Sequence, residues 1–257
     1  MNNVYETLSF GGNTNSCYGM EIVKHWLNVY NNKVLPFDYN SKNKVLLSLY
    51  WIEQLFDFIK FRYDKRMIGR EIIIGGNYPS TSPQSLLPFD CSIFLGDGEK
   101  FANESDKFTI TKETREAKIK ANVEQIIPIG YFDLQSNMRD FCEISRGCKN
   151  KCMFCQYGWL KKYQEASIDD IKEVIKRAKT KSVRIFAADR YEHTHYGLMR
   201  RFMDKLGKND TGSDVTLQKI LKNPELLKIT NKIRTGIEGV SERLRRLVLK
   251  NITNQEI

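Results

Sequence analysis

Three cysteines within eight residues, Cys148, Cys152 and Cys155, constrain this chain more than any other feature. Just before them, Phe141-Cys142-Glu143-Ile144 is a short alternating apolar segment of strand type. Arg146-Gly147 breaks that strand, so the thiols are expected on the loop leaving its C-terminal end. Thiolates converging from so short a loop call for a soft metal centre. A closed zinc site needs four protein ligands, commonly two separated Cys pairs. No second pair follows Cys155, and His25, His193 and His195 are far from it in sequence. An ordinary iron–sulfur cluster also wants four thiolates. With three, one iron is left open to a chelating small molecule, which makes a site catalytic rather than structural. Cys142 is the other candidate sulfur, but its place within the strand reads as a packed thiol.

The chain has 257 residues, room for two ordinary domains or one large one. Hydrophobic residues make up 41% and charged residues 28%, a composition of soluble globular proteins rather than disordered ones. No apolar run approaches a membrane span, and Met1 to Glu6 lacks a signal-peptide pattern. Six cysteines, three of them in one loop, do not make a disulfide framework, so a reducing cytoplasm is the expected setting. The net charge of +10 admits a nucleic-acid partner. Lysines and arginines are nevertheless spread along the chain beside acids, as in Lys172-Glu173 and Glu242-Arg243. A solvated basic surface is the simpler account, and no motif indicates nucleic acid.

Glu6 to Phe10 reads as a strand running into the turn Gly11-Gly12-Asn13. Ile22, Val23, Trp26, Leu27 and Tyr30 recur at helical spacing. Lys44 to Tyr50 is a second strand and Ile52 to Phe61 a second helix; Glu71 to Ile74 and Ser92 to Leu95 are two more strands. The strands stop at Gly75-Gly76 and at Gly96-Asp97-Gly98. Alternation of this kind predicts an α/β fold with an open parallel sheet, whose ligands bind beyond the strands' carboxyl ends. Residues 101–138 change to Lys-, Glu- and Thr-rich composition and read as a connector between residues 1–100 and a second domain, 139–257.

In the second domain Ser167-Ile168-Asp169-Asp170 looks like a helix start, with Ile168, Ile171, Val174, Ile175 and Ala178 as its apolar stripe. Ser182 to Ala188 is a strand, followed by Asp189-Arg190, a His193-Thr194-His195 loop and a helix from Leu198 to Leu206. Val215 to Leu221 reads as a third strand, Pro224 to Ile229 as a short helix, and Lys232 to Glu238 as a fourth strand before a helix through Leu244 and Leu247. These βα units describe part of a TIM-like barrel. Thr253-x-x-Glu256 has the form of a capping box, so a shortened or split version of a longer barrel is expected.

Cys148-x3-Cys152-x-Phe154-Cys155, after a strand and before a helix, resembles the cluster loop of radical S-adenosylmethionine (radical SAM) enzymes. The longer string from Glu143-Ile144-Ser145-Arg146-Gly147-Cys148 to Phe154-Cys155-Gln156 is similar to the subgroup with an N-terminal cobalamin-binding-like domain. Gly75-Gly76, Pro79, Pro83, Asp90 and Gly96-Asp97-Gly98-Glu99 resemble the second half of that domain, and the likeness extends over most of the chain. It implies a Rossmann-like N-terminal sheet, then a partial barrel of about four of six units. It also implies a [4Fe-4S] cluster on Cys148, Cys152 and Cys155, and S-adenosylmethionine chelating the fourth iron. An electron donor such as flavodoxin or ferredoxin is implied too, with a 5′-deoxyadenosyl radical for methylation or methylthiolation of an unknown substrate. By the same likeness Phe154 lies near the adenine and the backbone at Tyr157-Gly158 near its polar edge. Asp189 is placed near the methionine end, and Glu238 at the ribose or methionine. The resemblance leaves cobalamin a possible cofactor. The Asp-x-His-x-x-Gly stretch that would deliver a histidine to cobalt is absent, as in many members of the subgroup, some of which bind cobalamin and others not. Two other readings fit the residues: a cluster-binding fragment completed by a second chain, and a zinc-bearing nucleic-acid-binding protein.

Overall fold

The computed structural model describes residues 3–10, 18–50, 52–102, 104, 109–111, 140–211, 215–229, 233–250 and 252–257. The turn expected at 11–13 and most of the expected connector lie outside them. The chain divides into two compact units; described residues up to Thr111 belong to the first and those from Asp140 to the second. No described helix is long and apolar enough to cross a membrane.

The first unit is a six-stranded sheet in the order β2-β1-β3-β4-β5-β6. Its strands are β1 (Val4–Ser9), β2 (Lys33–Pro36), β3 (Lys44–Ser48), β4 (Ile72–Gly75), β5 (Ser92–Phe94) and β6 (Thr109–Ile110). All pairings are parallel except β5 with β6. The order 2-1-3-4-5 is that of flavodoxin-like doubly wound sheets. Period-two alternation divides the sheet's side chains between two cores. Val45, Leu47, Ile72, Ile74 and Ile93 pack with Phe58 and Phe61 of α2 (Gln54–Arg62) and with Tyr78 of the short α3 (Asn77–Thr81). Leu46, Ile73 and Phe94 pack with Met20 and Leu27 of α1 (Tyr18–Val29). Burial on both faces explains why these strands are apolar runs. Sequence reading missed β2 and β6: the four residues of β2 have no fully buried member, and β6 is only two residues long.

One polar cluster is sealed inside this unit. Arg70 and Glu6 are 4% and 1% exposed and meet at 2.5 Å. Arg70 also donates to the carbonyls of Asn43 (2.9 Å) and Asp38 (2.7 Å), and Glu6 accepts from the Asp38 N–H and the Asn43 amide. It therefore ties β1 to the segments before β3 and β4.

The second unit holds a three-stranded parallel sheet, β11-β10-β7, made from β7 (Asp140–Glu143), β10 (Ser182–Phe186) and β11 (Asn209–Asp210). Two short strands, β8 (Ser145–Arg146) and β9 (Gln164–Glu165), pair antiparallel beside it. Helix α4 (Gln156–Leu160) lies between β8 and β9 in sequence. Helix α5 (Ile168–Arg177) starts where expected: the Ser167 hydroxyl accepts from the Asp170 N–H at 3.1 Å, and Ile171 and Ile175 are fully buried. Helix α6 (Tyr196–Lys205) adds Met199 and Met203 to the same core.

Two strand assignments are corrected. Val215 to Leu221 is not a strand: Leu217–Lys222 is a helix, α7, with Ile220 buried in the core. Its Thr216 start is fixed by the Asp189 carboxylate, which accepts from both the Thr216 N–H and its hydroxyl. Leu217, Ile220 and Leu221 follow helical spacing as readily as strand alternation, and this tertiary anchor decides between them. The third strand is instead the polar pair Asn209–Asp210. Nor do the described residues of Lys232 to Glu238 form a strand. Only Arg234 makes a β-bridge, its carbonyl accepting from the Val215 N–H, and Glu238 has a left-handed φ of 64°. The described parallel sheet thus contains three strands, not four.

The C-terminal region is built around a buried arginine on α8 (Glu242–Leu247), whose N-cap is Ser241. Arg245 is 0% exposed. Its guanidinium donates to the carbonyls of Ile252 (2.8 Å), Gly239 (2.9 Å) and Val240 (2.8 Å), and to the Asn254 side chain (2.5 Å). The Thr253–Glu256 capping box forms, on a 3-10 turn at Asn254–Glu256.

Candidate functional site

The cysteine loop leaves the C-terminal end of β7 and is clasped at its base. β8 and β9 pair Ser145 with Glu165 and Arg146 with Gln164, closing residues 147–163 into an excursion from the sheet. Arg146 forms a two-pronged ion pair with Glu143 (2.8 and 2.5 Å), both side chains nearly buried. Gly147 then takes a left-handed φ of 77°, and a Cβ there would lie 2.5 Å from the Lys162 carbonyl and 2.8 Å from that of Lys161. Only glycine suits both that backbone conformation and so close an approach. Gly158 on α4 likewise packs directly on the Asn150 carbonyl.

Cys148, Cys152 and Cys155 are all free thiols; Cys152 is buried and the other two half-buried. They stand close enough for their charges to interact. Among the described residues, however, no three His, Cys, Asp or Glu side chains are gathered as a metal-binding group. The convergence expected from loop length is therefore incomplete. Burial pushes the Cys148 thiol up to about 11, with Glu192 and the other two cysteines adding to the rise. Burial also raises Cys152. The Cys148 sulfur accepts from the Asn150 N–H at 3.4 Å. As a donor set, three soft, unpaired sulfurs on one loop fit a thiolate-held iron–sulfur cluster. Cys142 does not join them: it is 0% exposed, packs in the core, and burial raises its pKa.

Charged groups surround the loop. The Glu192 carboxylate, 6% exposed, accepts from the Lys149 N–H at 3.4 Å, and Lys149 Nζ donates to the Glu192 carbonyl at 3.1 Å. Burial, reinforced by Asp189, raises the Glu192 pKa, while Lys149 and Lys219 oppose the rise. A cavity of about 300 Å³ opens beside the loop, lined by Asn150, Glu192, Thr216, Gln218, Lys219 and Lys222. On another side Lys250 pairs with Glu238 at 3.4 Å, and both charges are felt at Cys152. The Met153 N–H donates to the Val248 carbonyl at 3.1 Å, joining the loop to the end of α8.

Phe154 lies on the loop and is 54% exposed. Gly158 is buried and Tyr157 half-buried on α4. Glu238 is exposed within electrostatic reach of Cys152. Asp189 is 2% exposed, and its oxygens already serve the Tyr191 N–H and Thr216. His193 is buried between the Ala166 carbonyl and the His195 N–H, a structural position. Sequence reasoning missed Glu192 and Lys250. Neither belongs to a periodic pattern, and the fold alone brings them to the cysteines.

In the first unit, ligands of a 2-1-3-4-5 sheet sit beyond the carboxyl ends of β1 and β3. Here the Gln54 side chain spans those ends, donating to the Phe10 carbonyl and accepting from the Tyr50 N–H. The unit's one histidine, His25, is exposed on α1 and packs edge-on against Trp26. The described residues therefore do not fit a histidine-ligated corrinoid.

Residues 142–257 match the family model of the Radical SAM superfamily. The match begins at Cys142 and leaves the first unit uncovered. No curated protein matches the chain.

Proposed function

We propose, on the premise that residues 142–257 form a radical SAM-type domain, that the chain binds a [4Fe-4S] cluster through Cys148, Cys152 and Cys155 and cleaves S-adenosylmethionine reductively. The carrying observation is the loop itself: three free cysteines on one clasped excursion, within the matched region. When bound, the cluster supplies one electron to the sulfonium, yielding methionine and a 5′-deoxyadenosyl radical for modification of a substrate. The protein's own residues hold and orient. Phe154, exposed beside the last cysteine, offers a ring for the adenine, with the Tyr157-Gly158 backbone at its edge. Glu192 is the better acceptor for the methionine ammonium than Asp189, because Glu192 lines the cavity with one oxygen held by the Lys149 N–H, whereas both Asp189 oxygens are taken by the Tyr191 N–H and Thr216. Glu238, tethered by Lys250, stands ready for a ribose hydroxyl. No step runs through cobalamin.

Anaerobic reconstitution tests this reading. About four irons and matching sulfide per chain, with 5′-deoxyadenosine formed on reduction with S-adenosylmethionine, are expected; a single bound zinc would end it. A second reading has its own support. The described parallel sheet of the second unit has only three strands, where a barrel needs more. A chain that binds the cluster yet releases no 5′-deoxyadenosine until a second protein is added would be a partial barrel completed in trans. A reducing, cytoplasmic setting suits both readings, since every described cysteine is free.

A further inference from the structure

The cysteine loop carries exposed aromatic surface, and lysines without an ion-pair partner among the described residues stand on it and beside it: Lys151, whose ammonium donates to the Gly158 carbonyl, and Lys219 and Lys222 on α7. Phe154 and Trp159 are 54% and 56% exposed. The Trp159 indole is fixed by its N–H donating to the Cys152 carbonyl at 2.9 Å, and Lys151 Nζ stands 5.7 Å from its ring centre. Asn150, whose carbonyl Gly158 packs against, also lines the cavity together with Lys219 and Lys222. Among the described residues, Lys151, Lys219 and Lys222 have no carboxylate within ion-pair distance, unlike Lys172 and Lys176 on α5, which pair with Asp169 and Glu173. The one carboxylate among the cavity-lining residues, Glu192, feels the charge of Lys219 but makes no ion pair with it.

Fixed aromatic faces set among lysines are the chemistry of single-stranded nucleic-acid binding, in which bases stack and phosphates neutralise the cations. We propose that the substrate presented to the cysteine loop is a single-stranded nucleic acid, with a base stacked on Trp159 and its phosphates held by Lys151, Lys219 and Lys222. Duplex is disfavoured because its bases are already stacked. A protein partner is disfavoured because the apolar surface is interrupted by these cations. The inference rests on the radical SAM reading only for the chemistry done on the bound strand; binding itself is measurable without turnover.

The test uses the full chain, anaerobically reconstituted, and fluorescence anisotropy with labelled oligonucleotides of about 16 nucleotides, as single-stranded RNA, single-stranded DNA and duplex. Both single strands, or one of them, should bind more tightly than duplex. Trp159→Ala should weaken binding about five- to one-hundred-fold, and Trp159→Phe should restore most of it. Lys219→Ala with Lys222→Ala should lower the slope of log affinity against log salt by about 1.4. Lys172→Ala with Lys176→Ala should leave affinity and slope unchanged. No binding at low salt, equal losses from both lysine pairs, or displacement of the oligonucleotide by S-adenosylmethionine alone would overturn the proposal. Iron content and 5′-deoxyadenosine release are measured on the same samples. Normal values without oligonucleotide binding sink this inference alone, whereas oligonucleotide binding by a chain that takes up no iron sinks the catalytic reading and leaves the binding surface standing.

Discussion

Cys142 and Cys148 lie close in sequence, yet one is sealed in the core and the other opens toward a cavity-lining carboxylate. The difference sets the expected behaviour of their variants. Replacing any one of Cys148, Cys152 or Cys155 with alanine should abolish cluster absorbance and stoichiometric iron. Cys142→Ala should keep both and cost about 1–2 kcal/mol of stability by urea unfolding, through the small core void it leaves. His193 gives a second test at this scale. Burial holds its pKa below the ordinary 6.5, and its ring accepts one backbone N–H while facing a carbonyl, which suits the neutral form. The unfolded chain therefore takes up a proton that the folded chain refuses. This part of the stability is complete above about 6.5 and is lost as pH falls below it. The urea midpoint of the second unit should drop with acidification through that window, and His193→Gln should flatten the drop.

Among the elements, those carrying a strong period were legible and those fixed by tertiary anchors were not. Ile171 and Ile175 announce α5, and Ser167 its start, because spacing and cap chemistry are local. Lys44 to Ser48 and Ile72 to Gly75 announce central strands, because burial on both faces demands continuous apolar runs. By contrast, Leu217 to Lys222 turns helical where the Asp189 carboxylate seizes Thr216, a contact across 27 residues that no window on the sequence contains. The cysteine motif was legible in the same local sense, but the clasp that frames it was not. Two-residue strands such as β8 and β9 leave no period to read. The clasp makes its own prediction. Gly147→Ala places a methyl against the Lys161 and Lys162 carbonyls in a left-handed backbone, and should cost about 1–3 kcal/mol by thermal or urea unfolding. Iron uptake should fall with it. Gly207 also has a left-handed φ, 65°, but nothing within 4 Å of its would-be Cβ, so Gly207→Ala should leave iron uptake intact.

At the scale of the molecule, each unit has a core of its own and a buried arginine that sequence alone would assign to the surface. In the first unit Arg70→Met leaves Glu6 charged and buried without its partner, and should cost about 3–5 kcal/mol of unfolding free energy; adding Glu6→Gln should recover part of that loss. In the second unit Arg245 gathers four acceptors from the chain on either side of α8, and the next stretch, through Val248, holds the backbone of the cysteine loop at Met153. Whatever loosens the residues around α8 thus reaches the backbone of the cysteine loop at Met153. Warmed slowly, a sample carrying the proposed cluster should release iron before circular dichroism registers any melting. The colour of the sample would then be the earliest gauge of damage at its C-terminal end.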